Sequence, residues 1–384
     1  MRGFSIDLLQ NPVAFDSMKI DLQAIREDEN FMVHEHFIGD TPVYLVQPVH
    51  IGAKFTNDNL IFRSSVWTKN GLPVSLSFKK FTNYGEKPEV FPVPTSLDGT
   101  EAREKIDGST LCVSTFNDKL VNRTRGTVDA LKQDTGPEIT WLTQKYPIAF
   151  NNSIVSSGDF TVVFEFCSPT NRIVLDYGPE PLIYLTAVIS HKDYSYASQD
   201  TLDTLATYWN VLRPRKYTFN TLLELQEAVK SFRGVEGVCL YYDEGQRITK
   251  LKGDEYLFLH RAKSDISSIE KVIDLYLSQF TATGKFLSYN EFFSSLETSF
   301  DYEIAVMARG HVSKICDAIK EVIQIVEAMT AFVAPLRVKS RKNAAVAIQQ
   351  AYGNTSRCSF AFQLLDSKPL NTEAYKKLIF QILK

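Results

Sequence analysis

At 384 residues, 44% hydrophobic and 23% charged, the chain has enough apolar matter for two cored domains and too much for a disordered one. Its 42 basic and 45 acidic side chains leave a net charge of −3, so no global positive field gathers nucleic acid and any polyanion site must be local. The five cysteines, at 112, 167, 239, 316 and 358, are odd in number and form no CxxC pair, which excludes a complete disulfide framework and fits a reducing cytosol.

In chain order, Met1 to Ile20 interrupts its apolar residues with Arg2, Asp7, Asn11, Pro12, Asp16 and Lys19, so the continuous apolar stretch of a secretory signal is lacking and a cytoplasmic protein is expected. From about residue 31 to 256, short β-rich runs alternate with turn signals. Strands are expected at Val43 to Val49, Val74 to Phe78, Thr110 to Phe116, Phe160 to Phe166, Leu182 to Ile189 and Val238 to Tyr242, where alternating or β-branched residues suit a pleated, half-buried surface. Between them, Asn83-Tyr84-Gly85, Leu97-Asp98-Gly99 and Ser156-Ser157-Gly158-Asp159 carry residues that tolerate tight-turn backbone angles. The pattern is a mixed sheet domain with few helices.

After Lys263 the period becomes three and four. Asp265 is expected to cap a helix whose face is Ile266, Ile269, Ile273, Tyr276, Leu277 and Phe280, and Ser288 with Glu291 has capping-box spacing. Ile315, Ile319, Val322, Ile323, Val326 and Met329 form another stripe. Asp317, Lys320, Glu321, Gln324 and Glu327 interrupt it and make that helix amphipathic rather than membrane-spanning. Thr372 to Leu383 reads as a last helix. The boundary is expected near 256 to 264, giving domains of 1–256 and 257–384.

The sharpest chemical feature is Lys105-Ile106-Asp107-Gly108-Ser109, directly before a strand-like run. A lysine that attacks a nucleotide α-phosphate must first lose a proton, which its ordinary pKa near 10.4 opposes, so nearby cations are needed to depress it. Lys250 and Lys252 alternate in Ile248-Thr249-Lys250-Leu251-Lys252-Gly253, which on a strand puts both ammonium groups on one face. Arg63, the pair Lys79-Lys80 between Phe78 and Phe81, and Arg125 add further cations. Glu104 precedes the lysine, Glu165 sits inside the apolar run Val163-Phe164-Glu165-Phe166, and Glu236 stands beside Gly237. A carboxylate among such neighbours needs a metal, a ribose hydroxyl or a lysine. Taken singly, each feature has a plainer reading: a solvated turn, a strand-edge carboxylate, a solvated strand face, or an edge guarded against aggregation.

In their order along the chain these elements resemble the covalent nucleotidyltransferases, and specifically the ATP-dependent RNA ligase 1 family of bacteriophage tRNA-repair type. Lys105-Ile106-Asp107-Gly108 looks like motif I, and Phe164-Glu165-Phe166 with Ser168-Pro169-Thr170-Asn171-Arg172-Ile173-Val174 looks like motif III. Glu236-Gly237-Val238 looks like motif IV, Lys250-Leu251-Lys252 like motif V, and Lys80-Phe81-Thr82-Asn83-Tyr84-Gly85-Glu86 is similar to the family's upstream stretch.

The resemblance implies an α+β nucleotidyltransferase domain with an antiparallel sheet core, followed by an all-helical C-terminal domain that selects RNA. It makes Lys105 the residue that takes AMP, with Lys250 and Lys252 as catalytic phosphate contacts. Glu165 becomes the ribose contact and Glu236 a metal or lysine partner, both being the expected ligands of Mg2+. Arg63, Lys80 and Arg125 bind phosphate, Glu104 joins the nucleotide site, Gly108 leaves room for the nucleotide, and Tyr256 is the aromatic residue past motif V. Thr82, Ser64 and Arg125 stand where the family usually has phenylalanine, glycine and lysine. The implied reaction uses ATP and Mg2+ to join RNA 5′-phosphate and 3′-hydroxyl ends, tRNA included, through lysyl-AMP and an adenylylated RNA end. A monomer without membrane attachment is expected, in the host cytoplasm if a phage encodes it.

A DNA ligase or RNA-capping guanylyltransferase uses the same lysine but usually appends an OB-fold barrel, and a noncatalytic RNA-binding protein with a retired pocket is a third reading. His34-Glu35-His36 lacks a third ligand and reads as an exposed strand, and Cys167 and Cys239 as packing residues. Basic residues are concentrated at Arg213, Arg215 and Lys216 and again at Arg337, Lys339, Arg341 and Lys342, and the second cluster, after Pro335, reads equally as an RNA-backbone contact and as a solvated loop.

Overall fold

The structure, a computed structural model, describes residues 16–49, 52–299 and 302–383. Residues 1–15 of the stretch read above for an export signal lie outside them. The chain divides into two compact units, Met1–Leu257 and Phe258–Lys384.

The described part of the first unit holds three antiparallel four-stranded sheets. One runs β1 (Phe31–Ile38), β2 (Thr41–Pro48), β3 (Ser65–Thr68) and β4 (Pro73–Ser75) in that order. The central sheet has the order β7 (Lys119–Arg123), β6 (Ser109–Phe116), β8 (Phe160–Cys167), β9 (Leu182–Ser190). The third has the order β10 (Lys216–Tyr217), β5 (Glu101–Glu104), β11 (Gly237–Tyr242), β12 (Arg247–Lys252).

The period-two rule explains how the central sheet is covered on both faces. Leu111 and Val113 of β6 with Val162, Phe164 and Leu185 share a core with Ile139, Leu142, Leu202 and Trp209, from helices Gly136–Lys145 and Gln199–Trp209. The alternate residues Cys112, Val163 and Ala187 share a core with Tyr44, Val46, Trp67 and Leu76. Being covered on both sides, β8 is an apolar run interrupted by one carboxylate, Glu165. The third sheet is covered on one face, where Ala102, Val238 and Leu240 meet Leu225 and Val229 of helix Leu222–Lys230. Its other face carries Cys239, Lys250 and Lys252.

The expected strands are present, though of Val74 to Phe78 the ladder keeps Pro73–Ser75. Helices Gly136–Lys145, Gln199–Trp209 and Leu222–Lys230 were not anticipated, because each is a short amphipathic segment set between turn residues. No helix among the described residues is long and apolar enough to cross a membrane.

In the second unit, helices Ile269–Thr283, Arg309–Val333 and Thr372–Leu383 bury Ile273, Tyr276, Val312, Ile319, Val322, Leu378 and Ile379 in one core. The Ser288–Glu291 capping box is formed: the Ser288 N–H donates to Glu291 Oε2 at 2.8 Å, and the Glu291 N–H donates to Ser288 Oγ at 3.4 Å. Asp265 does not cap a helix. It lies inside helix Asp254–Ser267, and the break falls at Ser268. Helices Arg341–Tyr352 and Ser356–Leu365 complete this unit's regular structure after the long helix.

Candidate active site

Three strand ends, of β5, β11 and β12, converge on Glu236. The Lys105 N–H donates to the Gly237 carbonyl at 2.8 Å, carrying the β5–β11 pairing one residue beyond Glu104 and setting Lys105 beside Glu236. Gly237 has φ +150°, and a Cβ there would lie 2.0 Å from the Leu251 carbonyl oxygen, so only glycine lets β11 leave Glu236 this close to β12. Register then pairs Gly237 with Lys252 and Cys239 with Lys250, which brings the alternate lysines to the same face.

Glu236 is 2% exposed, and each of its oxygens takes an ammonium: Lys105 Nζ at 2.7 Å on Oε2 and Lys252 Nζ at 2.9 Å on Oε1. Burial, the largest single influence, would lower the Lys105 amine, but the charge of Glu236, followed by those of Cys239 and Glu165, together outweigh it and hold the amine well above its ordinary value. The expectation of a depressed nucleophile is therefore corrected: in this arrangement Lys105 is a stabilised ammonium. The depressed amine is Lys250, which burial and then the charges of Lys105, Lys252 and Arg63 push down to about 8. Its Nζ lies 5.5 Å from the centre of the Phe81 ring.

A cavity of about 140 Å³ opens here, lined by Lys105, Lys250, Lys252, Arg63, Glu104 and Glu165 together with Phe78, Phe81, Ile106 and Tyr241. Glu104 is tied to Arg215 Nε at 3.3 Å. Glu165 projects from β8 and accepts the Gly108 N–H. Its carboxyl is pushed up to about 7, burial being opposed by Lys105 and reinforced by Glu236. A carboxyl raised in the fold costs nothing below its ordinary 4.5, where both folded and unfolded chains hold the proton. The penalty grows as pH rises to about 7 and then stays constant. Glu165→Gln should accordingly raise stability by roughly 3 kcal/mol at pH 8 and by nothing below pH 4.5, as urea titrations at several pH values would read.

The fold itself already requires glycine at position 108. A Cβ there would sit 2.5 Å from the Phe166 carbonyl oxygen and 3.2 Å from Glu165 Cγ, so the residue is glycine because the turn presses on β8. Gly108→Ala should cost about 2 kcal/mol by overpacking, measurable as a lower urea midpoint.

Asp107 does more than its place in the K-x-D-G pattern suggests. Its Oδ2 accepts the N–H groups of Val174 and Leu175, both at 2.7 Å, its Oδ1 accepts the Tyr256 hydroxyl at 2.7 Å, and its own N–H donates to Tyr177 Oη at 2.9 Å. The buried carboxylate thus fixes the loop after β8 and the ring of Tyr256, over which Lys252 Nζ sits at 4.9 Å. An acidic residue between isoleucine and glycine was the available sequence signal.

A second group of cations is built around Arg123, which is fully buried. Its guanidinium donates to Ser75 Oγ and O and to Ser64 Oγ and O, at 2.8 to 3.1 Å. Ser64 Oγ in turn donates to the Arg125 carbonyl at 2.9 Å, which accounts for serine after Arg63. Arg63 lies 5.4 Å from the Phe81 ring centre, and burial followed by the Arg125 charge lowers its pKa. Arg125 is near Arg63 and Lys80 without lining the Lys105 cavity, and Lys80 lines a neighbouring one. Thr82 is buried, with its hydroxyl turned to the Glu86 carbonyl at 3.3 Å, while its own carbonyl accepts the Lys250 N–H at 3.2 Å.

These donors do not make a protein-held metal centre. Both Glu236 oxygens are taken by lysines, and no group of three His, Cys, Asp or Glu side chains among the described residues could hold an ion. A divalent metal on Glu236 or Glu165 would therefore share its coordination with the phosphates of a bound nucleotide instead of being held by protein groups alone. His34 and His36 lie on edge strand β1, whose Glu35 accepts the Tyr44 hydroxyl at 2.8 Å. Cys239 lines the cavity, but burial pushes its thiol up to about 11. Arg213 is half-buried, its guanidinium taken up by Asp203 at 2.8 Å and Gln199 at 2.8 Å. Lys216 pairs with Glu101 at 2.9 Å, and Arg341 with Asp366.

A family model described as RNA ligase matches residues 67–266 of this chain. A protein of Thermovibrio ammonificans, provisionally named RNA ligase, is 27% identical over 217 residues, 55% of this chain and 56% of its own. A baculoviral protein, from Autographa californica nuclear polyhedrosis virus and provisionally named bifunctional polynucleotide kinase/RNA ligase, is 25% identical over 224 residues, 53% of this chain and 31% of its own. The chain spans from about a third to somewhat over half of the length of these relatives. Among solved structures, an archaeal ATP-dependent RNA ligase is 11% identical, with a TM-score of 0.43 over 91% of this chain and 96% of the other.

Proposed function

Because this chain belongs to the RNA ligase family, whose model matches more than half of it, we propose that it is an ATP-dependent RNA ligase acting through lysyl-AMP on Lys105. The observation that carries the reading is the cavity in which Lys105, Lys250, Lys252 and Arg63 stand around one buried carboxylate and beside Glu165. The substrate is ATP as its magnesium complex, the metal arriving on the phosphates.

In the first step the Lys105 amine, having lost its proton, forms a bond to the α-phosphorus, and the bond to pyrophosphate breaks. Lys250 and Lys252 offset charge on the phosphoryl oxygens, and Arg63 receives the leaving pyrophosphate. Glu165 faces the ribose. In the second step the AMP moves to an RNA 5′-phosphate, freeing the amine. In the third a 3′-hydroxyl displaces AMP and closes the phosphodiester, the site serving to align the ends. The helical second unit is assigned to choosing the RNA, with broken tRNA as the first natural substrate to try. Among the described residues, helices and no strands follow β12, which disfavours the barrel-bearing DNA ligases and capping enzymes.

Incubation with α-labelled ATP and magnesium should give an acid-labile, alkali-stable protein adduct, and chasing with 5′-phosphorylated RNA should move the label and seal the ends. Absence of any adduct would refute the reading. Labelling by GTP instead of ATP would favour a capping enzyme, and sealing of nicked DNA but not RNA would favour a DNA ligase.

A further inference from the structure

A second cavity, of about 330 Å³, shares Phe81 and Ile248 with the one around Lys105, so the two are neighbours across one wall. Its chemistry is different. Lys79, Lys80 and Arg247 bring three cations against one carboxylate, Asp243, and Phe91, Tyr196 and Tyr242 bring aromatic surface.

Lys79 is the telling residue. Its ammonium lies 5.4 Å from the ring centre of Tyr194 and 5.6 Å from that of Tyr196, and it takes part in no ion pair among the described residues. Its backbone is fixed: the Lys79 N–H donates to Tyr196 Oη at 2.8 Å, and Tyr194 Oη donates to the Ser77 carbonyl at 2.9 Å. Burial lowers its pKa, and nearby Asp193 opposes that only in part. An ammonium held between rings at a cavity wall, without a carboxylate of its own, has donors to give a ligand. Arg247 reaches Asp243 at 3.3 Å and is otherwise open to solvent.

We propose that this cavity is a subsite for a nucleotide of the single-stranded RNA being joined, its phosphate on Lys79 and Arg247 and its base against Phe91 and Tyr242. Cations that follow the backbone combined with aromatic faces that accept any base are the chemistry of sequence-tolerant single-strand binding. The shared wall places such a nucleotide next to the lysine that carries AMP. The inference rests on the ligase reading and adds to it where the strand lies. The nucleotide-carrying lysine, its carboxylate and its partner lysines take no part in this subsite.

The test is direct binding of a short, fluorescently labelled, 5′-phosphorylated RNA to the full chain without ATP, read by anisotropy over a range of salt, beside separate measurement of lysyl-AMP formation. Lys79→Ala and the charge reversal Arg247→Glu should each weaken RNA binding about tenfold, and Lys79→Ala should lower the salt slope by about one. Arg247 is exposed, so its variant folds whatever Lys79→Ala does. RNA affinity unchanged in both variants, or no measurable RNA binding by the wild type, would overturn the subsite. So would unchanged RNA binding with a raised ATP requirement for lysyl-AMP formation, since the cavity would then serve the triphosphate. RNA binding lost in the variants while the wild type forms no lysyl-AMP would refute the ligase reading and leave the subsite standing.

Discussion

Lys105→Ala protein should take up no label from α-labelled ATP, a loss of at least about a thousandfold in adduct formation, because Lys105 is the cavity amine on which both Glu236 and Glu165 act, while Lys252 is paired with the other Glu236 oxygen. Lys250, lowered to about 8, is the nearest competitor, and a residual slow label on it would show as an adduct at residue 250 in a peptide map. Lys105→Arg separates charge from nucleophilicity. The guanidinium can still pair with Glu236 but does not deprotonate, so this variant should fold like the wild type and remain unlabelled. In the wild type, the raised value of Lys105 means that the reactive neutral amine is a minor species throughout the neutral range. Its population grows tenfold per pH unit until pH passes the raised value, so the rate of adduct formation should rise with pH and show no plateau near 8. A plateau there would mean that the nucleophile is Lys250 or that Glu236 does not hold Lys105.

Glu236→Ala should produce the largest loss of stability among the site variants. It strips the shared carboxylate from two ammonium groups whose side chains are 20% and 21% exposed, leaving like charges confined with Lys250 between β5 and β12. Removing one partner of a buried pair costs about 3–5 kcal/mol, and the partial exposure of the lysines puts this case near 3. The sign with pH follows from the same pair. A lysine raised in the fold contributes stability that is fully present below its ordinary value near 10.5 and is lost as pH rises through the raised value, while a lysine depressed in the variant penalises it only below its lowered value. The deficit should therefore be constant at low pH, begin to shrink once pH passes the lowered value of Lys105 in the variant, and vanish only in strong alkali. Without the carboxylate, burial and the neighbouring lysines act on Lys105 unopposed, so any activity the variant keeps should level off at a lower pH than in the wild type. A urea titration of the first unfolding transition and a pH–rate profile read the two effects separately.

Much of this site is written in residue order. The strands β6, β8, β9 and β11 follow from β-branched alternation, because a pleated sheet covered on one or both faces imposes period two or a continuous apolar run. The cation pair Lys250 and Lys252, the carboxylate Glu165 inside Phe and Val, and Lys105 before a strand are visible for the same local reason. The short helices Gly136–Lys145, Gln199–Trp209 and Leu222–Lys230 are not visible, since their stripes matter only once a sheet exists to cover. Arg213 looks like a loop cation in sequence and is a half-buried partner of Asp203 in space. Gly108 looks like clearance for a ligand, and the fold adds a reason the sequence does not show, clearance for Phe166.

The chain alone therefore determines which chemical groups are available and which strands present them, because side-chain alternation along a strand is a local property. What only the tertiary structure decides is the state of those groups. Lys105 and Glu236 lie 131 residues apart, and their 2.7 Å contact makes the proposed nucleophile a held ammonium and leaves Lys250 as the depressed amine. Protonation depends on burial and on the distance to opposite charge, and neither exists until distant strands have been brought together.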